Sequence, residues 1–265
     1  MNSVLVDTHC HLDPTYYPQG EREALEEARA AGVSGFVVIG VGETLEPARH
    51  ALAIAAREPG VAATVGVHPH DASRLDDAMR DALIDLAASP LIVAIGEIGL
   101  DYHYLHSPKE TQLRVFRELC QVARRLRKPI VVHTREAPED TLVVLEEEGA
   151  RDVGGIIHCF SEDLAFARRA LDLDFDLSFS GVVTFKNARS VHEVAAWAPA
   201  DRILVETDSP YLAPVPFRGK PCRPSMVVHT AQRVAELRGV DRETIAATTT
   251  ANAERRLRFG FRGST

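Results

Sequence analysis

Nothing in this 265-residue chain marks it for a membrane or for disulfide stapling. No uncharged apolar run approaches the roughly 18 residues that would cross a bilayer, and no basic segment followed by a long apolar stretch opens the chain. Neither export nor membrane anchoring is expected. The four cysteines, Cys10, Cys120, Cys159 and Cys222, are scattered without a Cys-x-x-Cys pair. That excludes a dense secreted framework and fits reduced thiols in a cytoplasmic protein. A basic excess is lacking too. With a formal net charge of -8, long-range attraction to a polyanion is not expected, so any nucleic-acid contact must rest on a local site. Low-complexity segments and short-period repeats are missing. The Gly-x-Gly of Ile39-Gly-Val-Gly42 does not extend to a dinucleotide fingerprint.

What remains is an ordinary globular composition, 45% hydrophobic and 26% charged, with prolines and glycines spread evenly. No linker stands out, and one domain over residues 1–265 is expected. Short apolar runs alternate with amphipathic stretches. Strands are expected at 4–6, 35–39, 62–67, 92–95, 130–132, 155–157, 175–179 and 203–205. Helices are expected at 21–31, 45–57, 75–87, 111–127, 140–148, 164–171, 188–197, 226–238 and 242–249. Eight strands with intervening helices in this length point to a closed (β/α)8 TIM barrel of the α/β class, with an open doubly wound sheet as the rival.

In such a barrel the reactive groups sit where strands end. The first apolar run leads into Val4-Leu-Val-Asp-Thr-His-Cys-His-Leu-Asp13. In an extended strand Asp7, His9 and His11 share one face. His68 follows the third run, Glu97 the fourth, His133 the fifth, His158 the sixth and Asp208 the eighth. Each lone histidine is by itself more often a hydrogen-bonded rim residue than a ligand. Their coincidence with two carboxylates is harder to dismiss, because burying so many ionisable groups without compensation is costly. Divalent cations remove that objection: zinc suits mixed nitrogen and oxygen donors, magnesium or manganese an oxygen-rich set. Four histidines and two carboxylates suffice for two ions sharing one carboxylate, and Glu97 is the candidate bridge.

The chain resembles the TatD-family metal-dependent deoxyribonucleases, within the amidohydrolase-like barrels. The resemblance rests on Asp7-Thr-His-Cys-His-Leu-Asp13, Gly66-Val-His-Pro-His70, Ala94-Ile-Gly-Glu-Ile-Gly-Leu-Asp-Tyr102, His133-Thr-Arg135, His158-Cys-Phe-Ser161, Ser180-Gly-Val-Val-Thr-Phe-Lys186, Val205-Glu-Thr-Asp-Ser-Pro-Tyr-Leu212 and Arg218-Gly-Lys220, in order over nearly the whole chain. It implies that His9, His11 and Asp208 hold one metal and His133 and His158 the other, with Glu97 shared. Asp208 is then the residue that takes the proton of the attacking water, and Glu97 and Asp208 are the catalytic carboxylates. Phosphodiester hydrolysis of DNA, from a 3′ end or on single strands, by a monomer with two divalent ions, is the implied activity.

Around this set, Glu206 and Asp7 are expected to orient ligands, against the alternative of ion pairs to lysine or arginine. His68 is expected to touch substrate, against a rim hydrogen bond. Arg135, Lys186, Arg218 and Lys220 are candidates for phosphate. Tyr102, Tyr104 and Tyr211 either stack on bases or pack. The basic run Arg124-Arg-Leu-Arg-Lys128 reads as a helix end favoured by the macrodipole. Two departures stand out. Cys222 and Arg223 replace the asparagine and glutamate that the resemblance implies, so that Arg223 would add positive charge to this loop. Glu162 replaces a glycine. Two other activities stay open: hydrolysis of an ester, as in a D-aminoacyl-tRNA or a lactone, and a non-catalytic scaffold.

Overall fold

The computed structural model describes residues 4–18 and 20–261. Eight strands, all parallel, pair in sequence order: β1 (Leu5–Cys10), β2 (Val33–Val38), β3 (Val61–Val65), β4 (Ile92–Asp101), β5 (Ile130–Arg135), β6 (Gly155–Ile157), β7 (Phe175–Phe179) and β8 (Ile203–Val205). Between them run α1 (Arg22–Ala30), α2 (Glu46–Arg57), α3 (Asp77–Ala87), α4 (Lys109–Leu126), α5 (Pro138–Glu147), α6 (Leu164–Asp172) and α7 (Arg189–Trp197), with α8 (Val227–Arg238) and α9 (Arg242–Leu257) after β8. This is the (β/α)8 TIM barrel, not the open sheet. No helix among the described residues is long and apolar enough to cross a membrane, and all four cysteines are free.

The seam between β8 and β1 closes beyond the end of β8. Asp208 N donates to His9 O at 2.9 Å, His11 N to Ser209 O at 2.8 Å, and Thr8 Oγ1 to Val205 O at 3.1 Å. Closure and site assembly are therefore the same event: the residues that zip the barrel are those carrying the proposed ligands.

Two apolar layers follow from strand alternation. One fills the space between strands and helices. The other lies inside the barrel, where Val6, Val37, Ala62, Ala94, Val131, Ile156 and Leu204 meet Ala253 and Leu257 of α9 and the fully buried Phe261. α9 and Phe261 thus plug the barrel at the strands' N-terminal ends. The helix expected over 242–249 instead runs to Leu257, straight through the β-branched Thr248-Thr-Thr250. Buried threonine hydroxyls resolve the conflict: Thr249 donates to Ile245 O at 2.9 Å and Thr250 to Val4 O at 2.6 Å.

β4 also outruns its expected limit of 95. Gly96, Glu97 and Gly99 interrupt the apolar run, yet pairing with β5 continues from Gly99 opposite His133 to Asp101 opposite Arg135. Gly99 sits at φ +146°, and a β-carbon there would lie 1.9 Å from His133 O. Only glycine lets β4 approach β5 this closely. β1 and β5 likewise run past their expected ends, so His9, Glu97 and His133 lie in the last turns of extended chain, not in loops. β1 is irregular there, its register with β2 shifting between Asp7 and Cys10, so strict alternation does not govern Asp7, His9 and His11. Helix starts differ by a few residues, as at α3, where the Asp76 carboxylate accepts from Met79 N at 2.7 Å and sets the boundary.

Candidate metal centre

Glu97 is buried at the middle of the strands' C-terminal ends, and its two oxygens face different partners. Oε1 lies 2.8 Å from His133 Nδ1, 2.9 Å from His158 Nε2 and 3.7 Å from His68 Nε2. Oε2 lies 3.4 Å from His9 Nε2. Asp208 Oδ1 completes the second side, 3.6 Å from His9 Nε2 and 3.4 Å from His11 Nε2. The rings of His9 and His158 stack with centroids 3.9 Å apart.

These groups have the chemistry of a cation site. Both ring nitrogens of His9 and Oε2 of Glu206 are buried with no hydrogen-bond partner. Among the described residues no lysine or arginine pairs with Asp7, Glu97, Glu206 or Asp208. Buried carboxylates that no lysine or arginine faces cost free energy that a divalent ion offsets. Donor atoms converge within 4.8 Å in three sets: His9, His11 and Asp208; His68, Glu97 and His133; His9, His158 and Glu206.

Electrostatics reflect the same crowding. Burial pushes the Glu97 carboxyl up, but the imidazoles of His158, His9 and His68 outweigh it and hold it well below its ordinary value. Burial lowers His158, yet Glu97 and Glu206 on either side carry it well above its usual range. Its stacked neighbour His9 goes the other way, lowered by burial and by His158. Two imidazoles in contact do not both take a proton. A metal ion competes with those protons for the same lone pairs.

A shell of oriented partners surrounds the centre. Glu206 Oε1 lies 2.9 Å from His158 Nδ1 and accepts from Cys159 N at 2.7 Å, which leaves His158 Nε2 for the cavity. Asp7 accepts from Thr207 N at 2.9 Å, Thr207 Oγ1 at 2.6 Å and His9 N at 3.3 Å. Burial pushes its carboxyl up to about 8, against the pull of those donors. Asp208 stands at φ +56°, a left-handed conformation uncommon outside glycine and asparagine.

The family described as TatD related DNase matches residues 6–258. This chain belongs to that family. Among its TatD relatives, the uncharacterized metal-dependent hydrolase YcfH of Escherichia coli K12 is 44% identical over 255 residues, 95% of this chain and 94% of its own. The protein named 3'-5' ssDNA/RNA exonuclease TatD from Salmonella typhimurium is 34% identical over 254 residues, 94% of this chain and 97% of its own. The crystal structure of YJJV, a TatD homolog from E. coli K12, superposes with TM-score 0.90 at 27% identity, covering 98% of this chain and 100% of that one. The protein is a metal-dependent hydrolase of the TatD family.

Within this TatD barrel the six expected ligands, His9, His11, Glu97, His133, His158 and Asp208, come together. His68 joins them more closely than a substrate contact requires, since its ring reaches Glu97 and packs against His133 with centroids 4.6 Å apart. The expected basic residues divide. Arg218 lies over the Phe185 ring at 4.5 Å and Lys220 over Phe217 at 6.0 Å, both lining a groove of about 790 Å³ with Tyr16 and Tyr211. Arg135 lies over Tyr104 at 4.7 Å, and Lys186 is exposed. Tyr102 is a packed residue, donating to Asp140 at 2.7 Å under Lys109. In the basic run, Arg124 pairs with Asp152 and Lys128 donates to the Ile92 carbonyl. Cys222 is buried, and Arg223 pairs with Glu27 at 2.6 Å, so its charge is cancelled at α1 instead of serving phosphate.

Sequence reasoning missed Asp101. Its Oδ2 lies 3.0 Å from His70 Nε2 and 3.3 Å from His133 Nε2, while Oδ1 accepts from His103 N and Tyr104 N. Asp101 thus fixes the ring whose other nitrogen meets Glu97. The signal was its spacing: four residues beyond Glu97 on one strand places both carboxylates on the same face. Tyr16, whose hydroxyl meets that of Tyr211, carried no signal because its partner lies 195 residues away.

Proposed function

We propose that this protein hydrolyses phosphodiester bonds of single-stranded nucleic acid from the 3′ end, holding two divalent cations that share Glu97. His9, His11, Glu97 and Asp208 would hold one ion and Glu97, His133 and His158 the other, with His68 beside the second set. The observation that carries this reading is the division of Glu97, one oxygen toward His9 and the other toward His133 and His158. The imidazole-rich donor set suits zinc best, while magnesium or manganese would lean on the carboxylates and water. When bound, the cations supply Lewis acidity, lowering the pKa of water from about 15.7 toward about 7 and offsetting charge that builds on the phosphoryl oxygens.

The chain's own residues do the rest. Asp208, held at the seam by its backbone bond to His9 O, accepts the proton of the attacking water at its carboxylate. Glu206 and Asp101 fix the ring orientations of His158 and His133, so the lone pairs point inward. Tyr16 and Tyr211 offer aromatic faces beside Arg218 and Lys220, a pairing suited to unstacked bases and their phosphates. The His11 ring meets Tyr211 edge-on at 6.1 Å, which joins this groove to the centre. The name of the Salmonella relative supports the same substrate and polarity. Every donor comes from one chain, so a monomer has a complete site.

The test is metal-reconstituted protein assayed in parallel on 3′- and 5′-labelled single-stranded DNA and RNA, an aminoacyl-RNA and a small lactone. Stepwise shortening from the 3′ end is expected. Turnover of the aminoacyl ester or lactone with the oligonucleotides left intact would overturn the phosphodiester reading.

A further inference from the structure

A second concavity, of about 490 Å³, opens on the other side of the centre from the tyrosine groove. It lies between the turn after β3 and the loop after β4, and His70, Arg74, His106 and Glu43 line it with Ser73 and Ser107. The centre joins the two: Tyr211 follows Asp208 by three residues in the groove, while Glu97 reaches the cleft through His68 at 3.7 Å and then His70, whose ring centroid is 4.3 Å from that of His68. His106 packs against His70 at 4.6 Å and lies parallel to Tyr104, 5.5 Å away with 11° between planes. Arg135 lies against the same tyrosine.

We propose that this cleft is a second strand subsite, taking the phosphate and base of a nucleotide on the far side of the bond being cut. The inference rests on the phosphodiester reading and adds to it that the substrate is gripped on both sides of the scissile bond. Three features argue for it. Planar groups and cations lie together, the combination that binds an unstacked nucleotide. The guanidinium of Arg74 is available: its contact is an exposed ion pair with Glu43 at 3.4 Å, of the weak kind that a phosphate displaces readily. His106 has no hydrogen-bond partner among the described residues, while His70 is held in place by Asp101. Finally, exposed aromatics lie along this track: Tyr16 and Tyr211 line the groove, and Tyr104 packs against His70 and His106 at the cleft. A strand running from one to the other covers both groups.

The test compares wild type with Arg74→Ala, His106→Ala and the double variant on two substrates. One is a single-stranded oligonucleotide, the other bis(4-nitrophenyl) phosphate, which offers a scissile diester but no second phosphate and no neighbouring nucleotide. The double variant should lower kcat/KM for the oligonucleotide, relative to the small diester, by about tenfold, mostly through KM. Its dependence on salt should weaken by about 0.7 in log-log slope for the lost phosphate contact. Arg74→Lys should recover most of the loss. An unchanged ratio between the two substrates, or a parallel fall on both, would overturn the subsite. Wild type that cleaves the small diester but not the oligonucleotide would also overturn it. Wild type inactive on both removes the phosphodiester reading and this inference together.

Discussion

Two buried charge clusters sit at opposite ends of the barrel, built on opposite logic. Near the strands' N-terminal ends the fully buried Asp176 accepts from Arg202 Nε at 2.6 Å, Arg256 Nε at 2.9 Å and Arg255 Nη2 at 3.0 Å, and Arg256 also forks onto Asp174. At the C-terminal ends Glu97, equally enclosed, meets only imidazoles. In the first cluster the fold cancels its own charge and satisfies its donors. In the second, only imidazoles face Glu97, and both ring nitrogens of His9 and one oxygen of Glu206 are left without partners. The difference separates a structural ion network from a candidate cation site, without appeal to any resemblance.

The sharpest way to break that comparison is Glu97→Ala. If Glu97 is shared between two ions, its loss should lower kcat on the order of 10³-fold, equivalent to about 4 kcal/mol of lost charge stabilisation. Bound metal measured by elemental analysis should fall while circular dichroism stays native. Retained metal with full activity would place the ions elsewhere.

The other cluster should answer in stability and not in chemistry. Arg256→Ala leaves Asp176 buried with part of its counter-charge gone. Urea unfolding should show a loss of about 3–5 kcal/mol, with kcat per folded molecule unchanged. A collapse of kcat at intact stability would erase the distinction between the two ends.

A milder variant probes the shell around the centre. Glu206→Gln keeps the shape but removes the carboxylate behind His158, and metal affinity by competition with a chelating dye should drop about 10- to 100-fold. An unchanged affinity would mean that the Cys159 and His158 bonds to Glu206 serve the loop alone.

The smallest effect concerns pH. The hydrogen bond from Arg256 holds the Asp174 carboxyl below its ordinary value, so the folded state binds fewer protons there than the unfolded chain. That stabilisation is complete above the unfolded carboxylate value near 4 and fades as the pH falls through the lower folded one. The stability gap between wild type and Arg256→Ala should therefore narrow below about pH 4. A gap that widens in acid would reverse the sign assigned to this pair.

Much of this was legible before any coordinates. The alternation of short apolar runs with amphipathic stretches is a local consequence of sheet and helix periodicity, and it places eight strands in order. His9, His11, Glu97, His133, His158 and Asp208 stand out as candidates because they recur together at the ends of apolar runs, although each histidine alone would pass for a rim residue. Other features were hidden for physical reasons. Gly96 and Gly99 look like a strand's end and instead permit its continuation. α9 looks finished at a threonine run whose hydroxyls find acceptors in the fold. Arg223 reads as spare charge until Glu27 is seen beside it.

The order of the strands and the identity of the candidate donors are properties of the sequence by itself, because periodicity and residue chemistry act over a few neighbours. Tertiary structure alone decided which oxygen of Glu97 faces which imidazole, that Asp101 braces His133, and that Phe261 seals the far end. Those outcomes depend on contacts such as Thr207 with Asp7, 200 residues apart, which exist only once the barrel has closed.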